Sequence, residues 1–176
     1  MPNAEEPSMA YDAPPNWLDR ELVLEFFWKF SAFECALKRE GFLRPVRNKR
    51  TDQNKAAQPD WDRFGKSIRG RFQEVRAEGF QSELHALKNL SPQRQVVKDG
   101  RLGWDPIQRR NDESDEEFSL QLVKTVRNNL FHGGKYPDGS IEEVARDKAI
   151  LRAALGVLKG CYELHPGVAR RIKEAA

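Results

Sequence analysis

An arginine and a histidine stand five residues apart near the end of one amphipathic segment, at Arg127 and His132. The guanidinium of arginine stays charged and binds phosphate oxygens through paired hydrogen bonds. The imidazole of histidine exchanges a proton near neutral pH, because its ordinary pKa is about 6.5. Asn128 follows the arginine and can donate to the same phosphate or orient the histidine. The three residue types are suited to holding a phosphate and moving a proton beside it.

The segment that carries these residues is predicted to be a helix. Ser114 and Glu117 form a capping box at its start, and Gly133-Gly134 is a typical end. Its apolar residues recur every fourth position, at Phe118, Leu122, Val126 and Leu130. At about 3.6 residues per turn, Arg127 and His132 lie about 140° apart around the helix axis. We therefore expect them to converge near the helix end, or in a groove completed by a second copy of the chain.

The remaining pattern predicts a mainly α protein, a bundle of about five helices with a small β-hairpin near residues 95–104. The first helix is expected to start at Asn16 and to run to about Arg39, with an apolar stripe broad enough for contact with more than one helix or with another subunit. Asp60 is expected to cap a helix that continues to Val75. Two more helices are expected over residues 79–90 and after the Ser140–Glu143 capping box.

The motif Arg127-Asn128-x-x-x-His132, followed by glycines, resembles the R-x-x-x-x-H signature of HEPN domains. A polar residue after the arginine is usual in the ribonuclease members of that family. The stretch Phe30–Lys38 resembles the first long helix of HEPN domains, which often carries an acidic residue facing the motif, here Glu34. The resemblance covers the two outer thirds of the chain. It implies a HEPN-like helical bundle and a homodimer whose two motif helices form one composite cleft.

The resemblance also implies a reaction, the metal-independent endonucleolytic cleavage of RNA. The ribose 2′-hydroxyl would attack its own phosphorus and leave a 2′,3′-cyclic phosphate and a 5′-hydroxyl. His132 would transfer the proton, Arg127 would hold the charge on the phosphorane, and Glu34 would pair with Arg127 and fix its rotamer.

The resemblance sets this activity in a toxin–antitoxin pair or in phage defence, with a cognate antitoxin as a partner. Some HEPN toxins carry a tyrosine two residues after the histidine, which the antitoxin modifies. Gly134 occupies that position here, so this mode of control is not expected.

Basic residues supply candidate contacts to RNA. A basic insertion around residues 44–58 contains Pro45, Asn48 and Asn54 and is predicted to be a loop. It is equally consistent with a phosphate-binding loop and with a solvated connection. The candidate substrate-binding residues are Arg47, Lys49, Arg50, Lys135 and Tyr136.

Each candidate also has a structural explanation. Arg127 can neutralise the acidic first helix, and His132 is favoured as a cation at a helix C-terminus. Glu34 can form an ordinary salt bridge. If these explanations hold, the chain is a non-catalytic HEPN-like module that binds a nucleotide, a nucleic acid or a partner protein.

Size and composition limit the other function classes. The 176 residues are expected to form one domain over residues 16–165, with a flexible lead (1–15) and a basic tail (166–176) that is a short helix or frayed. A formal net charge of +3 permits nucleic acid as a partner without requiring it. The two cysteines and three histidines show no metal-ligand spacing, and no cofactor is expected. With no secretory signal and no apolar run long enough for a membrane span, we expect a cytoplasmic protein.

Overall fold

The computed structural model describes residues 19–44, 56–131 and 141–174. It is mainly helical and contains one small antiparallel sheet of two strands. Its elements are α1 (Arg20–Arg39), α2 (Trp61–Ser67), a 3-10 turn (Phe72–Glu74), α3 (Phe80–Leu90), β1 (Gln93–Lys98), β2 (Arg101–Pro106), α4 (Asp115–Phe131), α5 (Ile141–Tyr162) and α6 (Pro166–Lys173).

Helix α1 starts later than expected. Its cap is Asp19, whose carboxylate accepts a hydrogen bond from the backbone N–H of Leu22 at 3.2 Å, so the prediction of an Asn16 cap is wrong. The same carboxylate forms a salt bridge with Lys148 of α5. A charged cap with a cation beside it stabilises the helix start more than a neutral amide alone. At the other end, Gly41 has a φ of +84°, which confirms the predicted stop.

Helix α2 is shorter than predicted. Asp60 caps it, since its carboxylate accepts from the N–H of Arg63 at 3.0 Å. The helix ends at Ser67. Gly70 then adopts a φ of +77°, a left-handed conformation that a right-handed α-helix cannot include. Beyond the break Phe72 is buried and Val75 is partly buried, because the 3-10 turn returns Phe72 to the core. The apolar periodicity therefore predicted the buried residues correctly, but its prediction of one continuous helix was wrong.

Helix α5 lies at the centre of the bundle and packs against α1, α3, α4 and α6. Phe33 of α1 is fully buried and joins the elements around it, with ring centroids within 5.3 Å of the rings of Trp61, Phe64 and Tyr162. Gly160 of α5 lets the Phe80 ring lie directly on the helix backbone, where a Cβ would overlap that ring. This glycine serves close helix packing.

The predicted hairpin is confirmed. Strands β1 and β2 pair in antiparallel register from Gln93 opposite Pro106 to Lys98 opposite Arg101. The turn between them is made by Asp99 and Gly100, both at positive φ, as a two-residue hairpin turn requires. Asn129 of α4 donates to the carbonyl of Gln93 at 2.8 Å and so ties the base of the hairpin to the bundle.

The C-terminal residues described in the structure form a helix, α6. His165 caps this helix through a hydrogen bond from the N–H of Val168 to Nδ1, and the Val168 side chain is fully buried. Of the two expectations for the basic tail, the short helix is confirmed, and it packs on α1. With α6 and the short α2, the described residues contain six α-helices, one more than the expected five.

The first turn of α4 is held by buried carboxylates. The capping box is present. The Glu117 carboxylate accepts a hydrogen bond from the N–H of Ser114 at 3.0 Å, and the backbone N–H of Glu117 donates to the Ser114 hydroxyl. Glu117 also forms a 2.6 Å salt bridge with Arg69, and Glu116 accepts from the N–H of Phe72 at 3.1 Å. The acidic residues in the first turn of α4 therefore contact the segment that follows α2.

Replacing Glu117 by glutamine should destabilise the fold and flatten its acid sensitivity. Burial raises the pKa of the Glu117 carboxyl, but Arg69 and Ser114 overcome this and hold the pKa below its ordinary value. The stability it contributes is therefore present above pH of about 4.3 and is lost as the pH falls through the lower folded-state value. We expect Glu117→Gln to lower the free energy of unfolding by about 1–3 kcal/mol at pH 7.

Urea unfolding at pH 7 and at pH 3 measures this, and the loss should be smaller at pH 3. Glu78→Gln, at an exposed glutamate, is the matched control and should change neither value. An equal loss at both pH values would show that the charge of Glu117 does not matter.

Candidate functional site

One face of α4 carries two of the predicted site residues, Arg127 and Asn128. Lys124, Arg127, Asn128 and Phe131 are spaced so that they share this face, which turns toward α1. Val126 and Asn129 are buried on the other side of the helix. The packing of Val126 and Asn129 in the interior therefore sets the direction in which the face with Arg127 and Asn128 points.

Arg127 is half-buried between aromatic rings. Its guanidinium carbon lies 5.8 Å from the ring centroid of Phe30 on α1 and 5.3 Å from that of Phe131 on its own helix. One terminal nitrogen donates to the amide oxygen of Asn128 at 3.2 Å. Within the described residues no carboxylate forms a salt bridge with Arg127. The cation is held in place by rings and an amide, and its charge remains available to an anion.

Glu34 has a different partner from the one expected. Its carboxylate accepts a hydrogen bond from the indole N–H of Trp61 at 3.2 Å and forms no salt bridge with Arg127. The expected ion pair is therefore absent, because the buried Trp61 indole needs an acceptor and Glu34 lies beside it. The rotamer of Arg127 is restrained by Phe30 and Phe131, the task that the sequence assigned to Glu34.

Lys124 is a residue of this face that the sequence analysis missed. It lies one turn before Arg127 and Asn128 and is half-buried. Desolvation by burial lowers the pKa of its amine, although Asp62, Glu34 and Asp60 act in the opposite direction. The signal that could have found it is its spacing of three and four residues from Arg127 and Asn128.

The structure brings together only part of the predicted site. Arg127 and Asn128 are adjacent on α4, and Glu34 lies on α1 one turn after Phe30, whose ring contacts Arg127. The other predicted site residues lie outside the described residues; they are His132, Lys135, Tyr136, Arg47, Lys49 and Arg50. The predicted convergence of Arg127 with His132 stays a prediction.

An exposed apolar surface adjoins the site, and we call it the aromatic patch. Its members are Leu24 (65% exposed), Phe27 (42%), Trp28 (66%) and Phe131 (44%). The rings of Phe27 and Phe131 meet at 5.3 Å across α1 and α4, next to the guanidinium of Arg127. The broad stripe predicted for α1 is thus only partly used for packing within the described chain.

The two described histidines lie outside this face. His85 is exposed and contacts the amide of Asn89 at 2.6 Å. His165 caps α6 and packs edge-on against Phe42. Cys35 and Cys161 are free thiols, and Cys161 is fully buried.

Some broader features bear on function. Among the described residues, no group of three or more histidine, cysteine, aspartate or glutamate side chains is arranged to hold a metal ion. No helix in the described part of the chain combines the length and apolar character needed to cross a membrane. An open apolar groove of about 560 Å³, lined by Leu22, Val126, Leu130 and Leu151 among others, lies on the far side of α4 from Arg127.

Comparisons of the chain with protein-family models, with curated protein sequences and with solved structures found no match. The similarity to HEPN domains rests on the residues of this chain alone.

Two substitutions at Glu34 test the structural role that the geometry gives it. Glu34→Gln keeps an oxygen that can accept from the Trp61 indole, so we expect the free energy of unfolding to change by less than about 0.5 kcal/mol. Glu34→Ala leaves the indole N–H without this acceptor and should cost about 1–3 kcal/mol. Urea unfolding followed by tryptophan fluorescence measures both. Equal losses in the two variants would show that the carboxylate charge, and not the hydrogen bond, is what matters.

Proposed function

We propose that this protein is a HEPN-type, metal-independent endoribonuclease that cleaves RNA to a 2′,3′-cyclic phosphate and a 5′-hydroxyl. The observation that supports this best is the state of Arg127. An arginine that is half-buried, held by two rings and free of any carboxylate among the described residues is prepared to bind an anion. Phosphate is the anion that the motif around it favours.

In this mechanism each group has one task. His132 takes the proton of the ribose 2′-hydroxyl, and the 2′-oxygen forms a bond to phosphorus while the bond to the 5′-oxygen breaks. Arg127 binds the non-bridging oxygens, whose negative charge increases in the phosphorane. Asn128 lies beside Arg127 and donates to the same phosphate. Lys135, Tyr136, Arg47, Lys49 and Arg50 contact the RNA on either side.

The proposed setting follows from this activity. An RNA-cleaving protein in the cytoplasm needs a restraint, and a cognate antitoxin protein or a phage-dependent trigger would supply it. Expression of the wild-type chain alone would then arrest growth.

Cleavage of RNA in excess chelator is the direct test. We expect the wild-type protein to give fragments that end in a cyclic phosphate, and Arg127→Ala or His132→Ala to slow cleavage by about 10²- to 10⁴-fold. The matched controls are Arg76→Ala and His85→Ala, at an exposed arginine and an exposed histidine away from the site, which should keep wild-type activity. Fragment ends are identified by mass spectrometry.

A different outcome would favour the non-catalytic alternative. If the wild-type protein binds RNA or a nucleotide without cleaving it, and Arg127→Ala weakens that binding, then the same cation serves a binding module. If neither cleavage nor binding depends on Arg127, both proposals fail.

We also propose that two copies associate through the aromatic patch. Leu24, Phe27, Trp28 and Phe131 form an apolar surface beside Arg127, and surfaces of this kind are stable in water when another protein covers them. An isologous contact there would place two α4 helices side by side and two copies of Arg127 in one cleft.

Trp28→Glu should convert the dimer to a monomer, because it places a charge in the middle of the apolar contact. Sedimentation velocity measures the oligomeric state, and RNA cleavage should fall together with dimerisation. Leu102→Glu, at an equally exposed apolar residue on β2, is the control and should leave the dimer intact. A wild-type chain that is monomeric at all accessible concentrations would contradict the proposed dimer.

A further inference from the structure

We propose that strand β2 is a self-association surface, which pairs in antiparallel register with β2 of a second copy of this chain and is centred on Gly103. The inference is independent of the proposed ribonuclease function. It rests on the exposure of the hairpin, on the outer edge of β2 and on the order of residues along that strand.

The hairpin is only lightly packed on the bundle. Its base is tied to α4 through β1, where Asn129 donates to the carbonyl of Gln93, and β2 packs closely only against β1 among the described elements. Val97 and Leu102 lie opposite each other in the register and are 71% and 74% exposed, more than any other large apolar side chain in the described residues. A hairpin of two strands is marginally stable in water, and a further strand would stabilise it.

The outer edge of β2 is suited to pairing with another strand. A two-residue hairpin turn is closed by a hydrogen-bonded pair, here Lys98 and Arg101, and bonded and non-bonded pairs alternate beyond it. The backbone groups of Leu102 and Trp104 are therefore directed away from β1. The register runs to Pro106 without a bulge, and no other described strand pairs with this edge. Exposed edges of this kind are templates for a further strand.

The sequence of β2 identifies a second copy as the partner, because the strand is complementary to itself in the antiparallel direction. In the register centred on Gly103, Arg101 lies opposite Asp105 of the second copy, and Leu102 lies opposite its Trp104. Opposite charges and apolar pairs at directly opposed positions stabilise antiparallel strands. No other centre within β2 gives both matches.

The apolar matches lie on one face of the combined sheet. Side chains alternate along a strand, so Leu102 and Trp104 share a face, and Val97 extends it on β1 opposite Leu102. Trp104 also has an interaction within its own chain, and 37% of its surface remains exposed. Pairing would join these three side chains of the two copies into one apolar row across four strands.

The charged matches lie on the opposite face. Arg101 is exposed and forms no salt bridge with a described residue. The Asp105 carboxylate is bound by Lys98 at 2.6 Å within its own hairpin, and its side chain is 32% exposed. A carboxylate has two oxygens and several acceptor positions, so Asp105 can accept from Arg101 of the second copy as well.

This surface is distinct from the aromatic patch. The patch adjoins Arg127, whereas the hairpin is held by Asn129, which is buried on the other side of α4. Two isologous contacts on one chain extend the assembly beyond a dimer. A contact between two short strands is small, so we expect it to form at higher protein concentrations than the contact through the patch.

A cysteine at the centre of the register tests the pairing. Gly103 would face Gly103 of the second copy as a non-hydrogen-bonded pair, with Cα atoms about 4.5 Å apart, a distance that a disulfide spans. A Cβ at Gly103 comes no closer than 3.5 Å to the Lys98 side chain, so Gly103→Cys should fold normally. The other exposed thiol is removed by Cys35→Ser, since Cys161 is fully buried.

In this background we expect Gly103→Cys to form a disulfide-linked dimer about tenfold or more faster than Val97→Cys, as followed on non-reducing gels. Val97→Cys is the matched control, because its position is equally exposed but would lie about three strand spacings, roughly 14 Å, from its equivalent. Equal rates of cross-linking in the two variants would overturn the proposed pairing.

Reversing one charge at a time tests the register. Arg101→Asp and Asp105→Arg each place like charges opposite each other, whereas a mixture of the two variants restores opposite charges at both positions. In a Trp28→Glu background, which removes the patch contact, we expect sedimentation velocity at increasing concentrations to show monomers for each variant and dimers for the mixture. Lys66→Asp, at an exposed lysine on α2, is the control and should associate as the parent does.

The outcomes separate this proposal from the others. Association of the mixture but not of its components supports the register centred on Gly103. Association of Arg101→Asp alone as strong as that of the parent would show that this register is wrong. Loss of the β2 contact leaves the ribonuclease and the aromatic patch proposals standing, because those are measured with substitutions on α1 and α4 and at His132.

Discussion

Buried carboxylates at the start of α4 determine where the candidate site faces. A buried carboxylate is costly unless hydrogen bonds or cations satisfy it, and each such bond has a narrow geometry. Glu116 must accept from the backbone of Phe72, and Glu117 must accept from both Ser114 and Arg69. A Cβ at Gly65 would come within 2.9 Å of the Glu117 side chain, so α2 also approaches closely here. These contacts fix the position of α4 along its axis and its rotation about that axis. The rotation determines the direction in which Arg127 points.

Helix α1 has a buried face that packs in the core and an exposed apolar face beside α4. Phe26, Phe30 and Phe33 enter the core, where burial of each ring stabilises the fold by about 1.5–3 kcal/mol. Phe30 has a second role, because its ring also lies under the guanidinium of Arg127. Leu24 and Trp28 contribute to neither function and stay exposed. One helix thus supplies the core, the support for the cation and an apolar surface beside it, and only the first of these is needed for folding.

Local signals in the sequence predicted most of the described elements. The capping box at Ser114, the Asp60 cap and the Asp99-Gly100 turn are each decided by a few neighbouring residues, and all three are present. The predicted helix through Val75 was wrong, since Gly70 and the contact of Phe72 with Glu116 interrupt it. Apolar periodicity reports which side chains are buried. It does not report whether the backbone between them is continuous.

The candidate site was less predictable, because its geometry depends on contacts between distant residues. The pairing of Glu34 with Trp61, 27 positions away, could not be inferred from either segment alone. The spacing of Lys124 from Arg127 places it on the same helix face, but its burial depends on distant segments and could not be inferred from the sequence around it.

Net charge does not indicate where on this protein an anion would bind. The 30 lysines and arginines nearly balance the 27 aspartates and glutamates, so the chain as a whole attracts RNA only weakly. Many of the described cations are already neutralised in pairs, as Arg69 is by Glu117 and Lys159 is by Glu25. A paired cation must give up its carboxylate before it binds phosphate, whereas Arg127 and Lys124 form no salt bridge within the described residues. Anion binding would therefore depend on which cations the fold leaves unpaired, and on α4 the two cations without a salt bridge to a described residue lie one turn apart.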